Sequence, residues 1–306
     1  MGDALFLNKV WTESEFVNGI HIGAVCTRKP EILLESARSK VNLITEEYDE
    51  FLCNVDAVYV RSLPKYHHYH IKRALEAGKH VLCESSLTIN REQGEELFDI
   101  ARGRRLILME AIKTAYATAY ERLLLLLKSG VIGDIISVDT VRTSIRNDDA
   151  GTEWDSIYEW GPTALLPVFQ ILGTKCKSFS IYTHLDKRGR GSFTKIDFTY
   201  KNSIGSIKVG DGVKSEGEFI VSGTEGYIYV PAPWWKTDYF EVRYEDQTKN
   251  RRYYYQLDGE GIRYEIVAFL KAIDKGIGFS KIDREITLMI SEIMYRYERR
   301  ENMVMF

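Results

Sequence analysis

Lys113 lies just past Glu110, where a short apolar run ends, so its ammonium would point from a sheet's carboxyl edge toward an interdomain cleft. The same position also suits a surface lysine that snorkels. Tyr116 follows closely and reads either as a substrate contact or as core. Lys214 sits in the turn Gly212-Val213-Lys214-Ser215-Glu216-Gly217, and Trp234-Trp235 follows Ala232-Pro233. A cation beside indole faces suits a sugar ring, while adjacent tryptophans also anchor loops. Thr27-Arg28-Lys29 sets two basic residues after a strand without an acid among them. His67, His68 and His70 cluster, yet no carboxylate stands at a spacing that would complete a metal site with them. Cys26, Cys53, Cys83 and Cys176 are too far apart for metal ligation and read as buried, reduced thiols. No metal is expected.

The elements that must position these groups change character along the chain. Residues 4–15 have helical periodicity, and His21 to Cys26 is a short strand. Pro30 to Ser39 predicts a helix with proline in its first turn. Val41 to Ile44, Asp56 to Val60, Lys79 to Cys83 and Leu106 to Glu110 predict further strands. Between them, helices are expected over Glu46 to Leu52, His67 to Ala77 and Asn90 to Gly103. This alternation implies a parallel sheet with functional groups at the strands' carboxyl ends. Beyond a boundary near Ile112 come helices at Tyr116 to Ser129 and Pro162 to Leu172, with a strand at Ile135 to Ile145 and a polar loop at Asp148 to Ser156. Seven strand-like segments from Phe179 to Gln256 follow, then helices near Gly261 to Lys275 and Arg284 to Arg300. Consecutive strands predict a large, mostly antiparallel open sheet. The expected domains are therefore 1–112 and 113–306.

With 306 residues, 28% of them charged and a net charge of -3, the chain has neither the length limits of a miniprotein nor the basic footprint of a nucleic-acid binder. The longest apolar run, Leu123 to Leu127, is too short to cross a bilayer. Met1-Gly2-Asp3-Ala4 carries no feature of a secretion signal, so a cytoplasmic protein without a membrane partner is expected.

The run Val55-Asp56-Ala57-Val58-Tyr59-Val60, then His67, then Ala74 to Glu84 (Ala-Leu-Glu-Ala-Gly-Lys-His-Val-Leu-Cys-Glu), resembles the glucose-fructose oxidoreductase and inositol dehydrogenase family, Gfo/Idh/MocA. Leu108 to Tyr116, Gly130 to Ile135, Gly223 to Ile228 and Ala232 to Trp235 are similar to the family's domain junction and second domain. The resemblance is closest to a bacterial branch associated with nucleotidyltransferases of surface-polysaccharide assembly. It implies an α/β fold in which a truncated Rossmann-like parallel sheet precedes an α+β domain whose open sheet forms a homo-oligomer. It also implies cofactor contacts at Thr27 and Arg28, at Ser62, Leu63 and His67 after the next strand-end, and at Glu84 and Ser85. Arg28 would favour the 2′-phosphate of NADP over NAD. Tyr116, Lys214 and Trp234 are the implied contacts to a sugar-like molecule.

Three departures from the family pattern shape the functional expectation. Met1-Gly2-Asp3 leads directly into helical sequence, without an apolar strand and glycine-rich turn to cradle a diphosphate. Ser85-Ser86 stands where the family carries Lys-Pro, and serine brings no charge to a developing alkoxide. Glu159 keeps an acid four residues before a position where relatives have His or Tyr, but that position is Thr163, a poor proton-transfer group. Glu159 equally suits a helix N-terminus. The expected function is a nicotinamide-dependent oxidoreductase acting on a sugar or polyol hydroxyl with impaired or lost catalysis, its surviving catalytic groups being Lys113, Glu159 and Thr163. The alternative is a non-catalytic binding or assembly module. NADP or NAD is the cofactor expected of the first; the second binds none.

Overall fold

In the computed structural model the described residues are 4–145, 155–276 and 279–306. Met1 to Asp3 and most of the expected loop at Asp148 to Ser156 lie outside them. The chain forms two compact units, one from Met1–Lys113 with Asp258–Arg284 and the other from Thr114–Leu257 with Glu285–Phe306. The first unit thus takes a late helical segment in addition to the stretch expected for it.

In chain order the first unit contains helix α1 (Ala4–Ser14), strand β1 (Ala24–Cys26), helix α2 (Glu35–Arg38), strand β2 (Leu43–Thr45) and helix α3 (Tyr48–Cys53). Strand β3 (Ala57–Val60), helix α4 (Pro64–Glu76), strand β4 (His80–Glu84), helix α5 (Arg91–Gly103) and strand β5 (Leu108–Ala111) follow. All its strand pairings are parallel, but they form two separate sheets, β1-β2 and β3-β4-β5. One apolar core joins them: Ala24 of β1 belongs to the same buried cluster as Val58, Val60, Val81 and Cys83.

Helix α4 shows why the local sequence folds this way. Pro64 opens it, where a missing N–H costs nothing. His67, Ile71, Ala74 and Leu75 recur at helical spacing and are buried. Gly78, at φ +76, turns the chain into β4. Asn90 caps α5 through its side chain, accepting from the Glu92 and Gln93 amides. The segment predicted as one helix over Pro30 to Ser39 is instead a 3-10 turn, Pro30–Ile32, and the short α2. The buried-thiol expectation holds for Cys83 alone: Cys26 and Cys176 are half-buried and Cys53 is exposed at the last position of α3, although all four cysteines are free thiols.

The second unit comprises helix α6 (Thr118–Lys128), strand β6 (Ile135–Ser144), helix α7 (Ser156–Leu172) and strands β7 (Ser178–Leu185), β8 (Gly191–Thr199) and β9 (Ile204–Asp211). Strands β10 (Phe219–Gly223), β11 (Tyr227–Val230), β12 (Tyr239–Arg243) and β13 (Arg251–Tyr254) complete the main series. After helix α8 (Ile262–Lys275), which belongs to the first unit, come helix α9 (Arg284–Glu298) and strand β14 (Met303–Met305). One nine-stranded sheet runs β13-β12-β11-β10-β6-β9-β8-β7-β14. Its pairings are antiparallel except β6-β9 and β7-β14. Helix α7 covers one face, so closely that a Cβ at Gly205 would lie 2.5 Å from a Val168 methyl. Ile181, Ile196, Phe198 and Ile207 are fully buried, whereas Ile136, Tyr182 and Ile204 are exposed on the same sheet.

Helix α7 begins at Ser156, not at Pro162. Pro162 and Pro167 both lie inside it, where each lacks the N–H of an intrahelical bond. No helix among the described residues is long and apolar enough to cross a membrane.

The first unit carries a pH-sensitive tie. The Ile107 amide donates to His80 Nδ1 at 3.0 Å, so that nitrogen must keep its lone pair. Burial lowers the His80 pKa from its ordinary 6.5, with Asp56 opposing. A lowered folded pKa makes this contribution complete above pH 6.5 and lost as pH falls through the folded value. Thermal denaturation between pH 7.5 and 5 should show the midpoint falling with pH, and His80→Asn should flatten that fall.

Candidate functional site

In the first unit, polar side chains gather where β3, β4 and β5 end. His67, fully buried on the first turns of α4, places Nε2 2.8 Å from the Ser62 carbonyl and Nδ1 2.8 Å from the Ser86 carbonyl. One ring therefore joins the loops after β3 and β4. Burial lowers its pKa, while the two carbonyls pull the other way. The Ser62 hydroxyl pairs with His70 Nδ1 at 2.8 Å. Glu110, buried at the end of β5, accepts the Leu87 amide at 3.0 Å and thereby fixes the same β4 loop from the other side. The Ser85-Ser86 peptide is cis.

Glu84 closes β4 and accepts the Tyr59 hydroxyl, with Arg61 at 3.9 Å. Burial, then the Glu84 charge, pushes the Tyr59 phenol far above its ordinary value. Glu265 of α8 is 1% exposed, and its Oε2 has no hydrogen-bond partner. Burial, then the Glu84 charge, raises its pKa well above the ordinary carboxylate value against the pull of Lys113. Lys113 donates to Glu260 at 2.7 Å, and Lys9 of α1 reaches the other oxygen of that carboxylate at 3.0 Å.

Thr27 and Arg28 lie just past the carboxyl end of β1, in the other parallel sheet. The Thr27 amide donates to the Thr45 carbonyl at 2.9 Å and its hydroxyl accepts the Lys29 amide at 3.1 Å. Arg28 is exposed, and Leu63 is half-buried beside Ser62. Among the candidates of this unit, Ser62, His67, Glu84 and Ser85 are brought together at adjoining strand ends. Thr27 and Arg28 stand on the separate sheet.

The second unit has its own polar-aromatic cluster. Arg142 of β6 lies 4.0 Å from the Trp160 ring centroid and 5.0 Å from that of Trp235, and donates to Thr163 at 2.6 Å. Both indoles lie within cation–π distance of the guanidinium and help to hold it in place. Trp234 is fully buried, its indole N–H on the Val141 carbonyl at 2.9 Å. Tyr116 is buried too, and Lys214 is exposed with its ammonium on the Ser215 carbonyl. Glu159 is exposed in the first turn of α7, one turn before buried Thr163. The fold therefore joins Thr163 to Arg142, Trp160 and Trp235. It does not join Lys214 to Trp234.

Arg142, Glu260, Glu265 and Lys9 escaped sequence reasoning. Lys9 and Glu260 are 251 positions apart, and nothing local in either marks the pairing. The Gly-Glu-Gly triplet 259–261 was the one signal on offer, because it marks a backbone turn that carries an acid. Among the described residues, no group of three His, Cys, Asp or Glu side chains could hold a metal ion.

Residues 8–112 match the model of an oxidoreductase family with an NAD-binding Rossmann fold, Gfo/Idh/MocA. A dTDP-3,4-didehydro-2,6-dideoxy-alpha-D-glucose 3-reductase of Actinomadura kijaniata is 46% identical over 84 residues, 28% of this chain and 25% of that protein. The D-xylose 1-dehydrogenase (NADP(+)) of Hypocrea jecorina is 39% identical over 82 residues, 27% of this chain and 21% of that protein. These matches thus span about a quarter and a fifth of those relatives' lengths. A broader match, 26% identical over 254 residues, covers 79% of this chain and 75% of the trans-1,2-dihydrobenzene-1,2-diol dehydrogenase of Sus scrofa. The fold is similar to that of a 3-ketoreductase from Actinomadura kijaniata solved with NADP and TDP-benzene, with a TM-score of 0.85, 19% identity and coverage of 100% and 97% of the two chains.

Removing the His67 ring would leave the carbonyl that takes its one N–H without a donor, and a void beneath α4. His67→Ala should cost about 2–4 kcal/mol in urea denaturation, from the unsatisfied group together with the cavity.

Proposed function

Since the chain belongs to the Gfo/Idh/MocA oxidoreductase family, we propose that it binds a nicotinamide dinucleotide and transfers hydride to or from a carbon that bears a sugar or polyol hydroxyl. The observation that carries this reading is the gathering of Arg61, Ser62, Glu84, Ser85 and Lys113 at the carboxyl ends of parallel strands, the edge where such sheets bind ligands. The residues present fit the cofactor at its adenosine end. Arg28, exposed after β1, suits a 2′-phosphate and favours NADP. The Ser62 loop, pinned by His67, offers a fixed wall to the dinucleotide. When bound, the nicotinamide supplies or takes the hydride.

Lys113 has the catalytic role in this proposal. Its ammonium, held by Glu260, replaces the positive charge that Ser85 lacks and stabilises the oxygen that becomes an alkoxide. In the reductive direction it donates the proton that this oxygen takes up as hydride reaches the carbon. In the second unit, Trp160 and Trp235 offer ring faces to a sugar, and Arg142 polarises the Thr163 hydroxyl toward donation. Glu159 is exposed one turn before Thr163 on the same helix. The relatives' reactions, on a keto-sugar nucleotide, a pentose and a cyclic diol, support a substrate of the vicinal-hydroxyl class.

The second reading is a binding or assembly module without turnover. Serine at position 85 favours it, because no side chain there brings charge to an alkoxide. In either reading, the exposed Ile136, Tyr182 and Ile204 of the nine-stranded sheet support a homo-oligomer formed through that sheet.

Thermal shift with NADP and NAD tests the proposal. NADP at a hundredfold excess over its Kd should stabilise the fold by about 2.7 kcal/mol. Arg28→Ala should weaken NADP about tenfold while NAD changes little. An unmoved midpoint with both nucleotides at millimolar concentration would refute cofactor binding, and with it the oxidoreductase reading.

A further inference from the structure

We propose that a cavity in the second unit, formed where α7, β7, α9 and β14 meet, is a binding site for a small zwitterion, an α-amino acid with an apolar side chain. The cavity measures about 190 Å³. Pockets for drug-sized molecules measure roughly 300–1,000 Å³, so this one suits a free amino acid better than a nucleotide. Its charged lining residues are Asp155, Glu298 and Arg300, two acids and one cation. The site owes nothing to the dinucleotide reading, because no residue of the first unit lines it.

One wall is fixed before any ligand arrives. Tyr297, 5% exposed, donates its hydroxyl to Asp155 Oδ2 at 2.7 Å. Its ring meets that of Tyr158 edge-on, with the centroids 5.7 Å apart. Gly191 must be glycine here, because a Cβ would run into the Tyr297 hydroxyl. The tie orients the Asp155 carboxylate and leaves Oδ1 without a partner among the described residues. Burial, then the Glu298 and Asp155 charges, push the Tyr158 phenol far above its ordinary value, so both carboxylates act on that one hydroxyl and it stays protonated.

The groups left over match the two ends of an amino acid. An ammonium has three N–H donors, and Asp155, Glu298 and the Tyr158 hydroxyl oxygen are acceptors for them. Arg300 offers its planar fork to the carboxylate. Neighbouring arginines are spent otherwise: Arg296 and Arg299 both reach Glu301, whereas Glu298 and Arg300 have no ion-pair partner among the described residues. Arg300 also stands in the left-handed region, at φ 56°, where glycine would be less strained, so a cation is kept here against backbone preference. Leu185, Met303 and Met305 supply the apolar wall, and methionine adapts to side chains of different shape.

Calorimetric titration of the full chain with L-leucine, leucinol and isocaproate tests the assignment, since leucinol lacks the carboxylate and isocaproate the amine. L-leucine should bind, and each analogue should bind about tenfold more weakly or worse for want of one set of charged hydrogen bonds. Arg300→Gln and Glu298→Gln alter exposed side chains and should leave the fold intact by circular dichroism. Arg300→Gln should weaken L-leucine about tenfold and leave leucinol unchanged, while Glu298→Gln should weaken both. No binding of L-leucine, L-valine or L-methionine at millimolar concentration overturns the proposal. An analogue that binds wild type as tightly as L-leucine overturns it without recourse to any variant. L-leucine binding that neither substitution alters places the ligand elsewhere and overturns it too.

Discussion

A buried imidazole that faces two backbone carbonyls sets the geometry of the first unit's functional edge. Parallel strands end in loops whose peptide groups have no ladder partner, and burial makes each unpaired group costly. His67 meets that demand at Ser62 or Ser86, whichever carbonyl its N–H faces, and Glu110 meets it at Leu87. The loops after β3 and β4 are thereby fixed by the core. Polar groups that extend beyond those loops, Ser62, Glu84 and Ser85 among them, inherit this rigidity, which a binding edge needs if it is not to spend affinity on ordering itself.

Charge at this edge is arranged by contrast between buried and exposed acids. Burial raises the Glu265 pKa, while Glu84 and Glu260 answer cations within reach. Lys113 meets the Glu260 carboxylate at 2.7 Å and pulls the Glu265 pKa down against that burial. In the second unit two indoles and a threonine contact Arg142 and help to orient it.

Much of the fold was legible because the responsible signals are local. The apolar run at β3, the Pro64 start and Gly78 stop of α4, and the Asn90 cap of α5 each act within a few residues. Helix α7 was read short because Pro162, a residue that usually opens a helix, lies in its interior. Strand β14 was missed because three residues, Met303 to Met305, carry no period; only pairing with distant β7 makes them a strand. The candidate site was legible in part. Ser62, His67, Glu84 and Lys113 lie at predicted strand ends, so topology alone placed them. Lys9, Glu260 and Glu265 join them through the return of α8 to the first unit, a tertiary event with no mark in the neighbouring sequence.

Hydrogen-deuterium exchange with and without NADPH addresses the central claim, that the carboxyl ends of the first unit's parallel strands hold the nucleotide. Amides at Thr27 to Lys29, Arg61 to Leu63 and Ser85 to Leu87 should exchange more slowly with the nucleotide present, with little change on the outer strands β12 and β13. Unaltered exchange at all three strand ends in saturating NADPH, or protection confined to the second unit, would contradict it.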